Sequence, residues 1–196
     1  MNPLVYAACK EGSYMLGRLV WRMRALGVEN VPATGPAIIA CNHASNLDPP
    51  LMGSCVPRPV VYMAKRQLFE MPILGPLITA LGAFPVDRSR GDVAAIKAGM
   101  TVLRAGDVLG IFPEGGRNAD RSKPPQAGVA LLASSSGAPV VPAYIDGTAH
   151  PSRLGRISVV FGEPLRFETA RQARREAMAN WSTELMERIY GLRERL

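Results

Sequence analysis

Short apolar segments alternate with helical patterns from residue 36 onward, and this alternation limits the possible folds more than any other feature. The segments predicted as strands are Ala37–Cys41, Val60–Met63, Ala83–Val86, Val108–Phe112, Val140–Ile145 and Ile157–Phe161. The segments predicted as helices are Pro49–Val56, Leu68–Ala80, Asp92–Arg104, Gln126–Ser135 and Thr169–Arg195. Such alternation predicts an α/β fold, with helices flanking a mixed, largely parallel sheet. With 196 residues and no repeat or linker, the chain is predicted to form a single domain.

Residues 1–26 carry a different pattern, an amphipathic helix that precedes a domain of residues 27–196. Its predicted apolar stripe consists of Leu4, Val5, Ala8, Gly12, Met15, Leu16, Leu19, Met23 and Leu26. Four basic residues against one acidic residue make the segment cationic, and Tyr14 and Trp21 lie among its polar positions. This combination is typical of helices that bind an anionic membrane surface. The same stripe also suits packing against a protein core, so both interpretations stay open.

The charge balance points to anionic partners. Lys and Arg number 23 against 16 Asp and Glu, which gives a net charge of +7. Nucleic acid, an acidic membrane and phosphorylated substrates all suit this charge, but an aromatic content of 6% is low for a protein that stacks on bases. The three cysteines, Cys9, Cys41 and Cys55, are odd in number and lack metal-ligand spacing, which favours a reducing compartment.

The first candidate site directly follows the predicted strand Ala37–Cys41, in the segment that begins Asn42-His43 and continues to Asp48. Ligands of open α/β sheets bind beyond the carboxyl ends of the strands. His43 suits a general base at neutral pH, and Asp48 could fix its tautomer across a turn. The alternative is a capping histidine beside an aspartate at a helix start, which is the commoner explanation for an isolated pair.

The second candidate is the segment Phe112–Asn118, again directly after a predicted strand. Gly115 and Gly116 allow backbone amides to face an anion, and Arg117 could bind a phosphate with two hydrogen bonds. Glu114 could orient Arg117 or a substrate hydroxyl. The alternative is a glycine-rich turn with a surface salt bridge.

A third candidate, Arg88 in the pair Asp87-Arg88, adds a second cation at the same predicted edge of the sheet; its alternative is an ordinary surface ion pair. A nucleophile is missing from the pattern, because Ser45 lacks the context of a nucleophile elbow. The sequence also offers no metal-ligand set. These residues indicate a histidine base that activates a substrate hydroxyl directly, beside cations suited to a phosphate.

Four motifs now stand in order between residues 27 and 162. They are N-H-x4-D at Asn42–Asp48, a block from Lys65 to Arg88, F-P-E-G-x-R at Phe112–Arg117, and a V-P strand at Val140–Tyr144. In these motifs the chain resembles the glycerolipid acyltransferases, most closely the bacterial 1-acyl-sn-glycerol-3-phosphate acyltransferases.

The resemblance implies a division of labour. His43 is expected to be the general base on the acceptor hydroxyl, with Asp48 orienting it. The glycerol-phosphate site is expected to consist of Arg88, Glu114, Gly115, Gly116 and Arg117. A fatty acyl group would pass from acyl-CoA or acyl carrier protein to the sn-2 hydroxyl of lysophosphatidic acid, giving phosphatidic acid without a further cofactor. Alternatives are another lysolipid or glycerol 3-phosphate as acceptor and, more remotely, a non-catalytic lipid-binding module.

The sequence also departs from the family pattern. Gly116 stands where threonine is usual, Asn118 where serine is common, and Gln67 where glutamate is usual. We expect no transmembrane segment of the kind that many members carry at the N-terminus, and the helix of residues 1–26 is expected to hold the enzyme peripherally on the cytoplasmic face of the cell membrane instead. Its expected partners are the anionic membrane surface, the lysophospholipid and the acyl thioester, and not nucleic acid. The segment Met71–Leu81 is a candidate lining for the acyl chain.

Overall fold

The computed structural model of the protein describes residues 1–86, 93–168 and 174–196, with the side chains of 174 and 175 left aside. Seven strands occur in these ranges: β1 (Arg24–Leu26), β2 (Ala37–Cys41), β3 (Val60–Lys65), β4 (Phe84–Val86), β5 (Val108–Ile111), β6 (Val140–Asp146) and β7 (Ser158–Phe161). Seven α-helices accompany them: α1 (Pro3–Trp21), α2 (Asp48–Cys55), α3 (Arg66–Phe69), α4 (Leu74–Ala80), α5 (Val93–Arg104), α6 (Gly128–Ser136) and α7 (Arg174–Gly191).

The strands form one mixed sheet in the order β1-β7-β6-β2-β5-β3-β4, and every neighbouring pair is parallel except β6 with β7. The predicted α/β fold with a largely parallel sheet is confirmed. Two apolar clusters cover the sheet, one on each face. One includes Met23 together with Leu51 and Met52 of α2, and the other includes Leu132 of α6 and Leu185 of α7. Every residue of β2 is buried, as expected for a central strand covered on both sides.

The register of the central strands places their carboxyl ends side by side at one edge of the sheet. Ala40 of β2 lies opposite Ile111 of β5 in the parallel pair, and Cys41 lies opposite Ala143 of β6. The chain therefore leaves β2 and β5 side by side. The segments that follow, which hold the first two candidate motifs, emerge at the same edge.

The N-terminal helix is shorter than predicted. Asn2 caps it, because its Oδ1 accepts hydrogen bonds from the backbone N–H groups of Leu4 and Val5. Arg22 ends it in a left-handed conformation with φ of 47°. The last part of the predicted helix is instead strand β1, which pairs in parallel with β7. Sequence reasoning missed this strand because Met23 and Leu26 continue the helical spacing.

The predicted apolar stripe of α1 faces away from the protein. The face turned to the protein carries the buried Gly17 and the half-buried Tyr6 and Trp21. Tyr6 accepts a hydrogen bond from the backbone N–H of β3 at 2.9 Å, and Trp21 Nε1 donates to a backbone carbonyl at 2.8 Å. On the opposite face, Leu4 is 81% exposed and Leu19 is 79% exposed. Core packing therefore does not explain the stripe.

Other predicted helices differ in their bounds. The predicted helix Leu68–Ala80 is two short helices, because Pro72 lacks an N–H and Gly75 lies against the carbonyl of Phe69. A Cβ at Gly75 would come within 2.2 Å of that carbonyl oxygen. Asp92, the first residue of the predicted helix Asp92–Arg104, and residues 169–173 of the last predicted helix lie outside the described residues. In the described ranges, no helix is both long and apolar enough to cross a bilayer.

Candidate active site

The loop after β2 brings His43 and Asp48 together. His43 Nδ1 lies 2.9 Å from Asp48 Oδ2, and the same oxygen accepts the backbone N–H groups of Ala44 and Ser45, each at 2.7 Å. Asp48 is fully buried at the first turn of α2. Because an ionised carboxylate can only accept, Asp48 accepts a hydrogen bond from the N–H at Nδ1. The lone pair of the neutral imidazole is then on Nε2. The aspartate thus both closes the loop and orients the histidine.

Asn42 anchors this loop to the sheet. Its Nδ2 donates to the carbonyl of Ile145 at 3.0 Å, and its Oδ1 accepts the N–H of Ile145 at 2.8 Å. The side chain therefore takes the place of a β2 backbone group in the ladder with β6. Asn42 is buried, so both of its hydrogen bonds are made away from water and hold the start of the loop firmly.

Aromatic rings support the imidazole from one side. His43 stacks on Phe112, with 4.1 Å between ring centroids and 23° between ring planes. Tyr62 of β3 stacks behind Phe112 at 6.1 Å. The ring plane of His43 is therefore set by the second candidate motif as well as by Asp48.

Glu114 joins the two motifs. The residue is 3% exposed, and its Oε2 accepts a hydrogen bond from the backbone N–H of His43 at 2.7 Å. Its Oε1 accepts hydrogen bonds from Asn118 Nδ2 at 2.9 Å and from the hydroxyl of Tyr190. Within the described residues, the carboxylate does not contact Arg117, the partner considered for it from the sequence. Protein donors occupy both oxygens, so Glu114 fixes the position of His43 rather than offering a free carboxylate.

The glycine-rich segment forms a tight turn beside His43. Gly115 has a φ of 68°, which favours glycine, and a Cβ there would come within 2.1 Å of Gln126 Nε2. Gly116 is buried, whereas Arg117 is exposed. Among described side chains and backbone groups, no partner is bound to the guanidinium of Arg117. The structure thus brings Gly115, Gly116 and Arg117 next to His43, while the predicted Arg88 lies outside the described residues.

Asn118, noted in the sequence only as a departure from the family, also fastens the turn. Its backbone N–H donates to the carbonyl of His43 at 2.6 Å. Its Oδ1 accepts the N–H of Lys123 at 3.1 Å. Together with the bond to Glu114, these contacts close the loop after β5 onto the loop after β2.

Two residues of this region escaped sequence reasoning, Tyr190 of α7 and Arg121. The guanidinium of Arg121 lies 4.3 Å from the ring centroid of Tyr190, and its Nη2 donates to the hydroxyl of Tyr144 at 3.3 Å. Burial, followed by the hydrogen bond to Glu114, raises the pKa of Tyr190, so its hydroxyl stays protonated. No local motif marks Tyr190, because 76 residues separate it from its partner Glu114.

The nearest thiol is not suited to nucleophilic attack. Burial raises the pKa of Cys41 well above its ordinary value, and the carboxylates of Asp48 and Glu114 raise it further. The thiol is therefore neutral at physiological pH, and the thiolate is the nucleophilic form. In the described part of the chain, no three His, Cys, Asp or Glu side chains are grouped so that they could hold a metal ion.

An apolar pocket of about 610 Å³ lies next to Phe112, the ring on which His43 stacks. Phe112 and Gly115 belong to its wall, so the second motif borders the pocket. Its other lining residues include Met63, Ile96, Leu131, Leu132 and Met178. The volume lies in the range of ligand-binding cavities. No residue of the segment Met71–Leu81, the candidate lining for the acyl chain, belongs to the wall of this pocket.

Known proteins share these features. The model of the Acyltransferase family matches residues 22–146. The chain is 30% identical over 197 residues to the 1-acyl-sn-glycerol-3-phosphate acyltransferase of Bacillus subtilis, covering 98% of each chain. It is 32% identical over 133 residues to that of Streptococcus pneumoniae, covering 65% of this chain and 49% of the relative.

A solved structure shares the fold. The crystal structure of the 1-acyl-sn-glycerophosphate (LPA) acyltransferase PlsC from Thermotoga maritima matches with a TM-score of 0.75 and 23% identity. The match covers 96% of this chain and 79% of that one. The family model spans well over half of the chain, from the first turn after α1 to the end of β6. The chain belongs to the acyltransferase family.

Proposed function

We propose that this acyltransferase moves a fatty acyl group from acyl-CoA or acyl carrier protein to the sn-2 hydroxyl of 1-acylglycerol 3-phosphate, giving phosphatidic acid. The observation that carries the proposal is the oriented His43–Asp48 pair, held at 2.9 Å beside an apolar pocket and an exposed arginine. The relatives in Bacillus subtilis and Streptococcus pneumoniae bear the name of this activity.

His43 acts as the general base in this mechanism. Its Nε2 takes the proton of the acceptor hydroxyl while the hydroxyl oxygen attacks the carbonyl carbon of the thioester. The new C–O bond forms, the C–S bond breaks, and the leaving thiolate takes the proton back from the imidazolium. The buried carboxylate of Asp48 stabilises the imidazolium in between.

Transfer is direct, without an acyl-enzyme intermediate. Cys41 is buried with a raised pKa, and among the described residues the Ser45 hydroxyl forms its hydrogen bond with the backbone N–H of Leu47 at 3.3 Å and not with His43. Neither side chain therefore offers an activated nucleophile next to His43. The acyl chain of the donor occupies the apolar pocket, where Phe112 lies between the pocket and the imidazole. No cofactor takes part beyond the thioester co-substrate.

The acceptor phosphate binds at the turn of Gly115, Gly116 and Arg117, with Arg88 as a second cation. The exposed Arg117 supports this part of the proposal, since its guanidinium has no partner among the described residues. A guanidinium binds a phosphate with two parallel hydrogen bonds. Glu114 does not itself bind the phosphate in this arrangement, because protein donors occupy both of its oxygens.

The enzyme attaches peripherally to an anionic membrane on its cytoplasmic face. The exposed stripe of α1 supports this proposal, as does Ile73, the residue directly before α4, which is 85% exposed. The two helices meet where the backbone N–H of Asn2 donates to the carbonyl of Ala80 at 2.7 Å. Exposed leucines beside basic residues suit the boundary between lipid headgroups and acyl chains.

The test is a turnover assay with mass-spectrometric detection of products from several acceptors and both classes of donor. We expect phosphatidic acid from lysophosphatidic acid, and a loss of about 10²–10⁴-fold in kcat for His43→Ala. The matched control is His150→Ala, at an exposed histidine that takes part in none of the contacts of the site described above. Full activity of His43→Ala would overturn the mechanism. If only a different acceptor were acylated, the proposed acceptor would be wrong. Binding of lipid without turnover would indicate a lipid-binding module.

A further inference from the structure

A hydrogen bond at Glu114 Oε1 connects the second motif to Tyr190 in helix α7. We propose that Tyr190 of α7 is a positioning residue for acyl transfer, which acts through Glu114 to hold the backbone of His43 in the reactive position. This inference rests on the proposed function, with His43 as the base. None of the four sequence motifs contains Tyr190.

The connection is a short chain of hydrogen bonds. The hydroxyl of Tyr190 donates to Glu114 Oε1, and Glu114 Oε2 accepts the backbone N–H of His43 at 2.7 Å. Glu114, which lies between them, is 3% exposed. A buried carboxylate depends on its donors, because water does not replace one that is lost. The orientation of Glu114, and with it the position of His43, therefore depends on Tyr190.

The helix itself holds Tyr190 firmly. Its neighbours Met186 and Ile189 are buried in the cluster on one face of the sheet. Arg121 lies over the ring of Tyr190 at 4.3 Å, and Tyr144 meets the ring edge-on at 6.1 Å. Cation–π and edge-to-face contacts fix the ring plane and so the direction of the hydroxyl. The last helix thereby serves the active site as a fixed support.

Loss of this hydroxyl has a definite consequence. Glu114 Oε1 would keep Asn118 as its remaining donor in the described chain, and the carboxylate could turn about its side-chain torsions. Small displacements of a catalytic group cost up to about 10²-fold in rate. In the proposed function, substrates bind at the pocket and at Arg117 and Arg88; Tyr190 does not line the pocket, and its described hydrogen bond and ring contacts do not involve Arg117. We therefore expect a lower kcat with little change in KM.

The decisive variant is Tyr190→Phe, which removes the hydroxyl and keeps the ring under Arg121. We expect kcat to fall about tenfold while the KM values for donor and acceptor stay within about twofold. The backbone amide resonance of His43 in ¹H–¹⁵N spectra should shift, because its acceptor Glu114 moves. The matched control is Ser182→Ala, which removes a buried hydroxyl of the same helix that donates to the Met178 carbonyl at 2.8 Å. This control should change neither kcat nor the His43 resonance.

A double variant tests whether Tyr190 acts through Glu114. In that case Glu114→Gln/Tyr190→Phe should be no slower than Glu114→Gln alone, since both changes break the same connection. Multiplied losses would overturn the inference, as would an unchanged kcat in Tyr190→Phe. If the wild-type protein transferred no acyl group, the proposed function would fail. The His43 resonance would still report whether Tyr190 and Glu114 hold the loop.

Discussion

The imidazole of His43 stacks on the phenyl ring of Phe112 at 4.1 Å, so the first residue of one motif supports the histidine of another. The two residues follow neighbouring strands, β2 and β5, that end at the same edge of the sheet. Three independent contacts therefore set the imidazole: the Asp48 carboxylate at Nδ1, the Glu114 carboxylate at the backbone N–H, and the Phe112 ring at its face.

Replacing Phe112 with leucine keeps an apolar side chain but removes the ring. Aromatic pairs contribute about 0.5–1.5 kcal/mol beyond the area they bury. If this support orients the imidazole, kcat should fall by roughly two- to tenfold, measured in the turnover assay. The control is Phe84→Leu, a half-buried phenylalanine of β4 that packs in the other apolar cluster. An equal loss in both variants would mean that the effect is general rather than a property of the stack.

Asp48→Asn should impair both activity and stability. The neutral amide cannot stabilise the imidazolium, so we expect kcat to fall by about 10²-fold or more. Two backbone N–H groups also lose their ionised acceptor, which should lower the free energy of unfolding by about 1–3 kcal/mol. Urea unfolding measures the second effect. The control Asp146→Asn changes a half-buried carboxylate that accepts the Tyr144 hydroxyl at 3.4 Å, and it should leave kcat near wild type.

Arg117→Ala should affect the acceptor more than the donor. Loss of a charge-assisted pair with phosphate is worth about 1.5–3 kcal/mol, so KM for lysophosphatidic acid should rise by about 10–100-fold. Steady-state kinetics with each substrate varied in turn separates the two effects. Arg104→Ala, at an exposed arginine of α5, serves as the control. A rise in the KM of the donor alone would assign Arg117 to the other substrate.

The exposed stripe of α1 can be tested on vesicles. Changing Leu4 and Leu19 together to serine removes apolar surface that stands in water in this structure. Because burying one leucine contributes about 1.5–3 kcal/mol, the affinity for vesicles with anionic phospholipid should fall at least about tenfold. Co-sedimentation measures the change. Leu196→Ser, at an exposed leucine outside α1, should bind like the wild type, and equal binding by all three proteins would contradict the membrane proposal.

Alkaline pH should lower the free energy of unfolding, because the buried thiol of Cys55 resists ionisation in the folded protein. Burial raises the pKa of this thiol to about 11, from an ordinary value of 9.0. Above pH 9 the unfolded chain releases this proton first, so the stabilisation is present below pH 9 and is lost as pH rises towards 11. We expect the difference in unfolding free energy between wild type and Cys55→Ala to decrease by about 2 kcal/mol between pH 8 and pH 11. A constant difference would contradict the assigned cause, because other groups titrate equally in both proteins.

The sequence was sufficient for the central strands and for the first motif. Strand β2 has the predicted bounds, because an apolar run of five residues buried on both faces leaves little choice of structure. The spacing of five residues between His43 and Asp48 suggested their contact, since a single turn closes it. The bound of α1 was wrong, because Met23 and Leu26 extend a helical spacing into a strand that only pairing with β7 defines.

Local sequence patterns predict neither the face of α1 that packs against the protein nor the role of Glu114. The helix packs with Gly17, Tyr6 and Trp21 against the protein, a face that hydropathy ranks below the leucine stripe. Glu114 stands in a recognisable motif, but its partner Tyr190 comes from a helix 76 residues later. Contacts of this kind depend on tertiary packing, for which one sequence carries no periodic signal.

The pairing of β1 with β7 matters for anyone who shortens the protein. Arg24 lies opposite Ser158 and Leu26 opposite Val160, so the three residues of β1, which is separated from the end of α1 by two residues, form the edge of the sheet. Deletion of residues 1–26 would remove the neighbouring strand of β7. The unpaired backbone groups of β7 could then pair with strands of other molecules, and we expect the truncated protein to aggregate. A truncated variant that starts at Arg22 keeps the edge strand and removes the helix alone.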